Sequence, residues 1–344
     1  MGSEAENAGA QKGGWKPALA LVFLAPFIAE VLSGATKLSA IFALVPEMMV
    51  WGCGALLIRE LVRRWRGGWP SLLCLGLGLS IAEEFLIQQT SLAPLPFAGA
   101  NVHYGRALGV NWIYFLFMLG FESVWVVLVP VGVAELWFSN RRNDLWLRTR
   151  GMIIACVVFL LGCRIAWYAW IKRVRPMIFH LPAYHPAPVT IAAGCASILA
   201  LALLAWALRG FGNPRAALRS VPSAWQVGLA VLVPGISWYA LMGFVFTPKQ
   251  PHLPFGAVLA AGVAWAVLAI LVLGRLAASA QWGNLHRWSA VFTATFVCMI
   301  AGFLGSNTWS RIDLIGKIVL NVLAVVAFLM LLRAVNRRAP PERV

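Results

Sequence analysis

The 344-residue chain is poor in charge and poorer still in acid. Only 12% of its residues are Asp, Glu, Lys or Arg, against roughly 25% in a soluble domain. With 61% hydrophobic residues and a mean hydropathy of +0.80, that scarcity excludes an ordinary soluble enzyme. The sequence also lacks any C-x-x-C pair. Its six cysteines, Cys53, Cys74, Cys156, Cys163, Cys195 and Cys298, lie singly in apolar runs and read as small, reduced, buried residues. Cys156 and Cys163 share one expected helix and lie about 10 Å apart along it, beyond disulfide reach. No zinc-finger spacing, aromatic-basic RNA motif, P-loop, dinucleotide fingerprint, H-E-x-x-H helix or serine nucleophile elbow occurs. Nucleic acid is therefore not an expected partner, despite a net charge of +16. A bilayer accounts for that charge, because basic residues gather at helix ends, snorkel to headgroups and set orientation.

What is present is a succession of apolar runs. A membrane-crossing helix needs about 20 such residues, and runs at about 17–34, 39–62, 69–90, 111–138, 151–171, 187–208, 224–246, 255–274, 288–305 and 314–334 fit one each. The expected fold is thus all-α, a polytopic bundle of about ten spans (range eight to ten), with the lipid bilayer as its first partner. A disordered tail (1–14), one transmembrane domain (15–335) and a short tail (336–344) complete the organisation. The first run is interrupted by Glu30 and has no small-x-small cleavage site, so it reads as a retained span. Counting Lys and Arg on alternate sides places nineteen with the N-terminus and eight opposite; the positive-inside rule then puts both termini in the cytoplasm. Trp15, Trp69, Trp112, Trp137, Trp170, Trp225 and Trp288 fall near span ends, as an interfacial belt would.

Acid is distributed unevenly. Glu30, Glu47, Glu60, Glu83, Glu84, Glu122 and Glu135 all lie in the first four expected spans, and the last six contain none. A carboxyl in hydrocarbon costs several kcal/mol unless paired, protonated or wetted, so each is a functional candidate. At about 1.5 Å per residue, Glu30, Glu47, Glu83, Glu84, Glu122 and Arg164 fall at a similar depth, roughly 16 to 24 Å from the cytoplasmic ends. They would form one polar layer. Glu60 and Glu135 fall beside arginines and read as interfacial salt bridges.

In the stretch GLGLSIAEEFLIQQTS, adjacent Glu83 and Glu84 would project about 100° apart, with Gln88 on the face of Glu84. One can then face a cavity while the other makes a supporting hydrogen bond. Two carboxyls in low dielectric do not both ionise without a cation nearby, so one is expected to hold its proton. The catalytic candidates are Glu83, Glu84 and Glu122, with Glu84 as base, supported by Glu30, Glu47, Gln88 and Arg164. Gly52, Gly54, Gly76 and Gly78 suit close helix packing. His103, His180, His185 and His252 fall in expected exterior loops whose spacing fixes no metal geometry; no cofactor is indicated. Three functions fit: a glutamate-dependent hydrolase acting on a membrane-embedded peptide or small molecule, a proton- or cation-coupled transporter with a helix broken near Pro130 or Pro234, or a non-catalytic assembly or binding protein.

The paired glutamates resemble the E-E-x-x-x-R motif of the CAAX-protease and bacteriocin-processing family of intramembrane glutamate proteases. The resemblance implies a glutamate that activates water and histidines on later helices. Here Gln88 stands where that motif has Arg, and neither F-x-x-x-H nor H-x-x-x-N/D occurs. The longer stretch from Pro26 to Val133, with AEVLSG, GALLIRELVRRW, AEEFLIQQTSLAP and YGRALGVNW, is similar to a group of bacterial multi-pass membrane proteins. That similarity implies a bacterial inner-membrane location and no particular activity.

Overall fold

A computed structural model describes residues 14–95, 104–211, 222–246 and 251–337. The expected tails, apart from Gly14, Asn336 and Arg337, and with them His103, lie outside the described residues. Gly14 belongs to the fold, since its N–H donates to the Trp146 carbonyl (3.0 Å), and the last helix runs to Arg337.

Ten long helical segments occupy the ten apolar runs. They are α1 (Trp15–Pro26, continued by a wider turn over Phe27–Val31), α2 (Leu38–Arg64), α3 (Trp69–Ile87), α4 (Trp112–Trp137), α5 (Thr149–Met177), α6 (Pro188–Gly210), α7 (Ala224–Val245), α8 (Phe255–Ala277), α9 (Asn284–Ala301) and α10 (Arg311–Arg337). Eight of these are long and apolar enough to cross a membrane. The exceptions are α1, which is short, and α9, whose first turn carries Asn284, His286 and Arg287. The only strands among the described residues, β1 (Arg106–Ala107) and β2 (Val110–Asn111), form a two-residue hairpin. Its turn uses positive φ at Leu108 and Gly109.

Helices α3 and α4 form the centre. Their apolar windows are 72% and 67% buried, against 11%, 11% and 6% for α5, α6 and α8, which turn Leu, Ile and Val side chains outward. An apolar surface of that kind is stable only against lipid or another protein. This outward arrangement corrects the expectation for two cysteines: Cys156 and Cys195 are exposed on α5 and α6. The tryptophans divide similarly. Trp15, Trp137 and Trp225 are exposed, whereas Trp112 and Trp288 donate inward to the Ala107 and Phe328 carbonyls.

Four helices depart from regular α geometry at their carboxyls. Wider π-type turns cover Phe27–Val31, Met48–Gly52, Glu83–Ile87 and Glu122–Leu128; a fifth, Tyr168–Val174, lies in α5. Such turns accommodate one extra residue and recur at functional sites. Proline adjoins three of the four: Pro26 precedes the first, Pro46 the second, and Pro130 follows the fourth. Pro234, by contrast, lies within a continuous α7.

A proline has no N–H for the carbonyl four residues back, so Pro26 frees that of Val22. Gly52 receives this carbonyl: a Cβ there would lie 2.2 Å from Val22 O, whereas one on Gly78 would meet nothing closer than 3.9 Å. Thermal unfolding in detergent should therefore show Gly52→Ala losing about 1–3 kcal/mol, the usual cost of overpacking, with Gly78→Ala unchanged.

Candidate functional site

The site begins where α3 stops. Its π-turn sends the N–H groups of Gln88 and Gln89 back to the Glu83 carbonyl (2.9 and 3.2 Å), and Gln89 takes a positive φ of 59°. The chain then folds inward, so that Thr90, Ser91, Leu92 and Ala93 are all buried. Three anchors hold this segment. Asn111 N–H donates to Ser91 O (2.8 Å), Arg106 to Leu92 O (2.6 Å) and Arg175 to Pro94 O (3.1 Å). Asn111 also caps α4 through its side chain, which accepts from Tyr114 N–H (3.1 Å).

The inward fold places two hydroxyls on one carboxylate. Glu84 Oε2 accepts from Thr90 Oγ1 (2.7 Å) and Ser91 Oγ (2.6 Å). The buried Tyr114 side chain lies beside Thr90 and Glu84. Thr90 and Ser91 follow the glutamate pair closely in sequence, and Tyr114 lies in the first turn of α4. Sequence reasoning missed the first two because hydroxyls at the end of a span read as a solvated loop, and Tyr114 because an aromatic residue inside a span reads as packing.

Glu83 has the opposite surroundings. It is 1% exposed, and neither of its carboxyl oxygens has a hydrogen-bond partner. The expected division of labour between the pair is thus present with the roles exchanged: Glu84 is the anchored group and Glu83 the unpartnered one. Gln88 is half-buried beyond the π-turn, and the i, i+4 face expected for Glu84 and Gln88 does not apply across a turn of that width.

The other acidic candidates join the pair. Glu122 is 2% exposed at the start of the π-turn in α4, beside Ser80, with Oε2 unpartnered. Glu47 accepts from Thr36 Oγ1 through Oε1 (2.5 Å), while its Oε2 has no partner. Glu30 is half-buried in the first π-turn. The carboxyls interact electrostatically as a cluster: Glu122 with Glu84, Glu83 and Glu30, Glu83 with Glu84 and Glu30, and Glu30 with Glu47 at its edge. The five carboxyls expected at one depth are thus each within electrostatic reach of another.

Arg164 does not belong to it. Its side chain is exposed on α5, over the Trp167 ring at 4.6 Å. A different cation enters the interior: Lys317, counted among the basic residues opposite the N-terminus, is 4% exposed on α10 and donates to the Leu32 and Met299 carbonyls. Asp313, expected just outside the last span, is buried in the first turn of α10 and accepts from Ser39 N–H (2.8 Å) and Ser310 Oγ (2.6 Å).

Glu60 and Glu135 pair with arginines, and the pairs are buried within the protein. Arg59, fully buried, reaches Glu60 (2.6 Å) and Glu135 (3.3 Å), and Arg63 reaches Glu135 (2.6 Å). His180, His185 and His252 lie on loops and His286 in the first turn of α9. Among the described residues, no group of three or more His, Cys, Asp or Glu side chains is arranged to hold a metal ion.

No protein-family model, curated protein or solved structure matches the chain.

Proposed function

We propose that this integral membrane protein is a proton-coupled transporter whose buried carboxyl layer is the proton path. The observation that carries this reading is Glu83, buried with two unpartnered oxygens within a cluster of carboxyls drawn from four helices. A structural carboxylate in low dielectric needs hydrogen bonds or a counter-charge. One that must gain and lose a proton is better left without either. Glu47, Glu30, Glu83, Glu84 and Glu122 each have another carboxyl within electrostatic reach, so a proton leaving one finds an acceptor nearby. Lys317 gives its protons to backbone carbonyls, and among the described residues no cation forms an ion pair with the layer. The π-turns at each carboxyl supply backbone that can repack as protonation changes.

A glutamate-dependent hydrolase would need a donor for an oxyanion beside the activated water. The Thr90 and Ser91 hydroxyls already donate to Glu84, and Arg164 is exposed away from the carboxyls. Orientation follows from the positive-inside rule: both termini are cytoplasmic, in the inner membrane of a bacterium. Reporter fusions to the two termini check it.

In proteoliposomes enclosing a pH-sensitive dye, a valinomycin-clamped potassium potential should drive proton uptake above that of protein-free vesicles. Glu83→Gln should abolish the difference. Equal rates with and without protein would remove the transporter reading.

A further inference from the structure

A second feature lies on the far side of α3 and α4 from the carboxyl layer. An apolar groove of about 940 Å³ is enclosed by α3 and α4 on one side and by α7, α8 and α9 on the other. Leu73 and Leu77 of α3, Pro234 and Trp238 of α7, and Val267 and Ile270 of α8 line it. It follows α4 from Leu116 to Glu135, a rise of about 28 Å, close to the roughly 30 Å thickness of a hydrocarbon core. Its outer wall, α8, is the least buried of the apolar helices.

One end of this groove is strongly basic. Arg63, Arg142 and Arg287 line it together with Glu135. The ion pairs there are already assigned: Arg59 with Glu60, and Arg63 with Glu135. Arg141 pairs with Asp144 at 3.5 Å, outside the groove lining. Arg142 and Arg287 have no carboxylate within ion-pair distance among the described residues. Arg142 donates through one terminal nitrogen to Asn284 Oδ1 (2.6 Å), but its Nε is buried with no hydrogen-bond partner. Burial first, and then the neighbouring Arg142, push the Arg287 guanidinium down to about 10, with Glu135 opposing. Two guanidinium groups from different segments are therefore held together, partly desolvated, at the mouth of an apolar channel.

We propose that this groove binds one anionic phospholipid, its acyl chain between α3, α4 and α8 and its phosphate on Arg142 and Arg287. A phosphate accepts the paired N–H bonds that guanidinium groups offer and supplies the charge that the two arginines lack. The chain answers the lining, which is almost wholly apolar. A neutral lipid would satisfy the lining and leave the cations uncompensated, and a zwitterionic one would bring a phosphate together with an ammonium that the two arginines repel. The proposal is independent of proton coupling, because none of Glu30, Glu47, Glu83, Glu84 or Glu122 lines the groove.

The test is titration of the purified full-length protein in detergent with phosphatidylglycerol and, separately, phosphatidylcholine of identical chains, counting bound lipid by native mass spectrometry. Expected is one saturable phosphatidylglycerol with at least tenfold preference over phosphatidylcholine, and a melting temperature that rises as that lipid saturates. Arg142→Gln with Arg287→Gln should lose the preference. Ala266→Trp, which fills the groove without touching the arginines, should lose the bound lipid altogether and covers the case in which the double variant fails to fold. Equal affinity for the two lipids, undiminished phosphatidylglycerol binding in Ala266→Trp, or a groove closed by a second copy of the chain, read as a lipid-insensitive dimer, would each overturn the assignment.

Discussion

Arg59→Met is expected to lower the stability of the protein by about 3–5 kcal/mol, the cost of removing one partner from a buried charge pair. Arg59 is fully buried yet makes five contacts that no methionine can replace. It reaches Glu60 at 2.6 Å and Glu135 at 3.3 Å, donates to the Asp144 and Arg142 carbonyls at 2.7 and 2.5 Å, and lies 3.6 Å from the Trp146 ring centroid. It thus ties α2 to α4 and to the chain that leads into α5. Glu60 completes the knot by accepting the N–H groups of Trp146 (3.1 Å) and Leu147 (3.0 Å). The check is thermal or denaturant unfolding in detergent, with Arg164→Gln as the reference. Arg164 is exposed over Trp167, and its loss should change stability by no more than about 0.5 kcal/mol. A small effect at Arg59 would mean that the buried network contributes little to holding the helices together.

Glu83→Gln should do the reverse: stability equal to wild type or higher, with proton movement lost. Neither Glu83 oxygen accepts a hydrogen bond, and replacing an uncompensated buried charge by a neutral group is often neutral or stabilising. Glu84→Gln should cost more stability than Glu83→Gln, because Thr90 and Ser91 both donate to Glu84 Oε2 and hydrogen bonds to a charged acceptor are worth more than those to a neutral one. If Glu83→Gln instead lost several kcal/mol, its carboxyl would be part of the scaffold.

Helix positions are legible in this sequence because the bilayer demands long apolar runs and polar residues mark their ends. The carboxyl layer is legible for a related reason. Depth follows from counting residues along a span, and acid is so scarce that each Glu stands out. Depth does not give rotation about the helix axis. Arg164 lies at the right height on the wrong face, and α5 is apolar on its lipid side as well as its inner side, so no amphipathic pattern reveals which way it points. The π-turns escape for another reason: they depend on packing between helices, although Pro26, Pro46 and Pro130 beside the acidic residues are a trace of them. Asp313 falls where the last helix begins a few residues earlier than its apolar run, and the inward face of Lys317 is again a matter of rotation about the helix axis. The arginine cluster needs tertiary structure, since Arg63, Arg142 and Arg287 are far apart in sequence and only the bundle brings them to one groove.

The most direct measurement of the proton assignment is the charge displaced when the protein, adsorbed in vesicles on a solid-supported membrane, receives a step in external pH. Protons entering the carboxyl layer should give a transient current in the wild type, and Glu83→Gln, folded and of equal or greater thermal stability, should give none. A current of the same size in Glu83→Gln would contradict the assignment of Glu83 to the proton path.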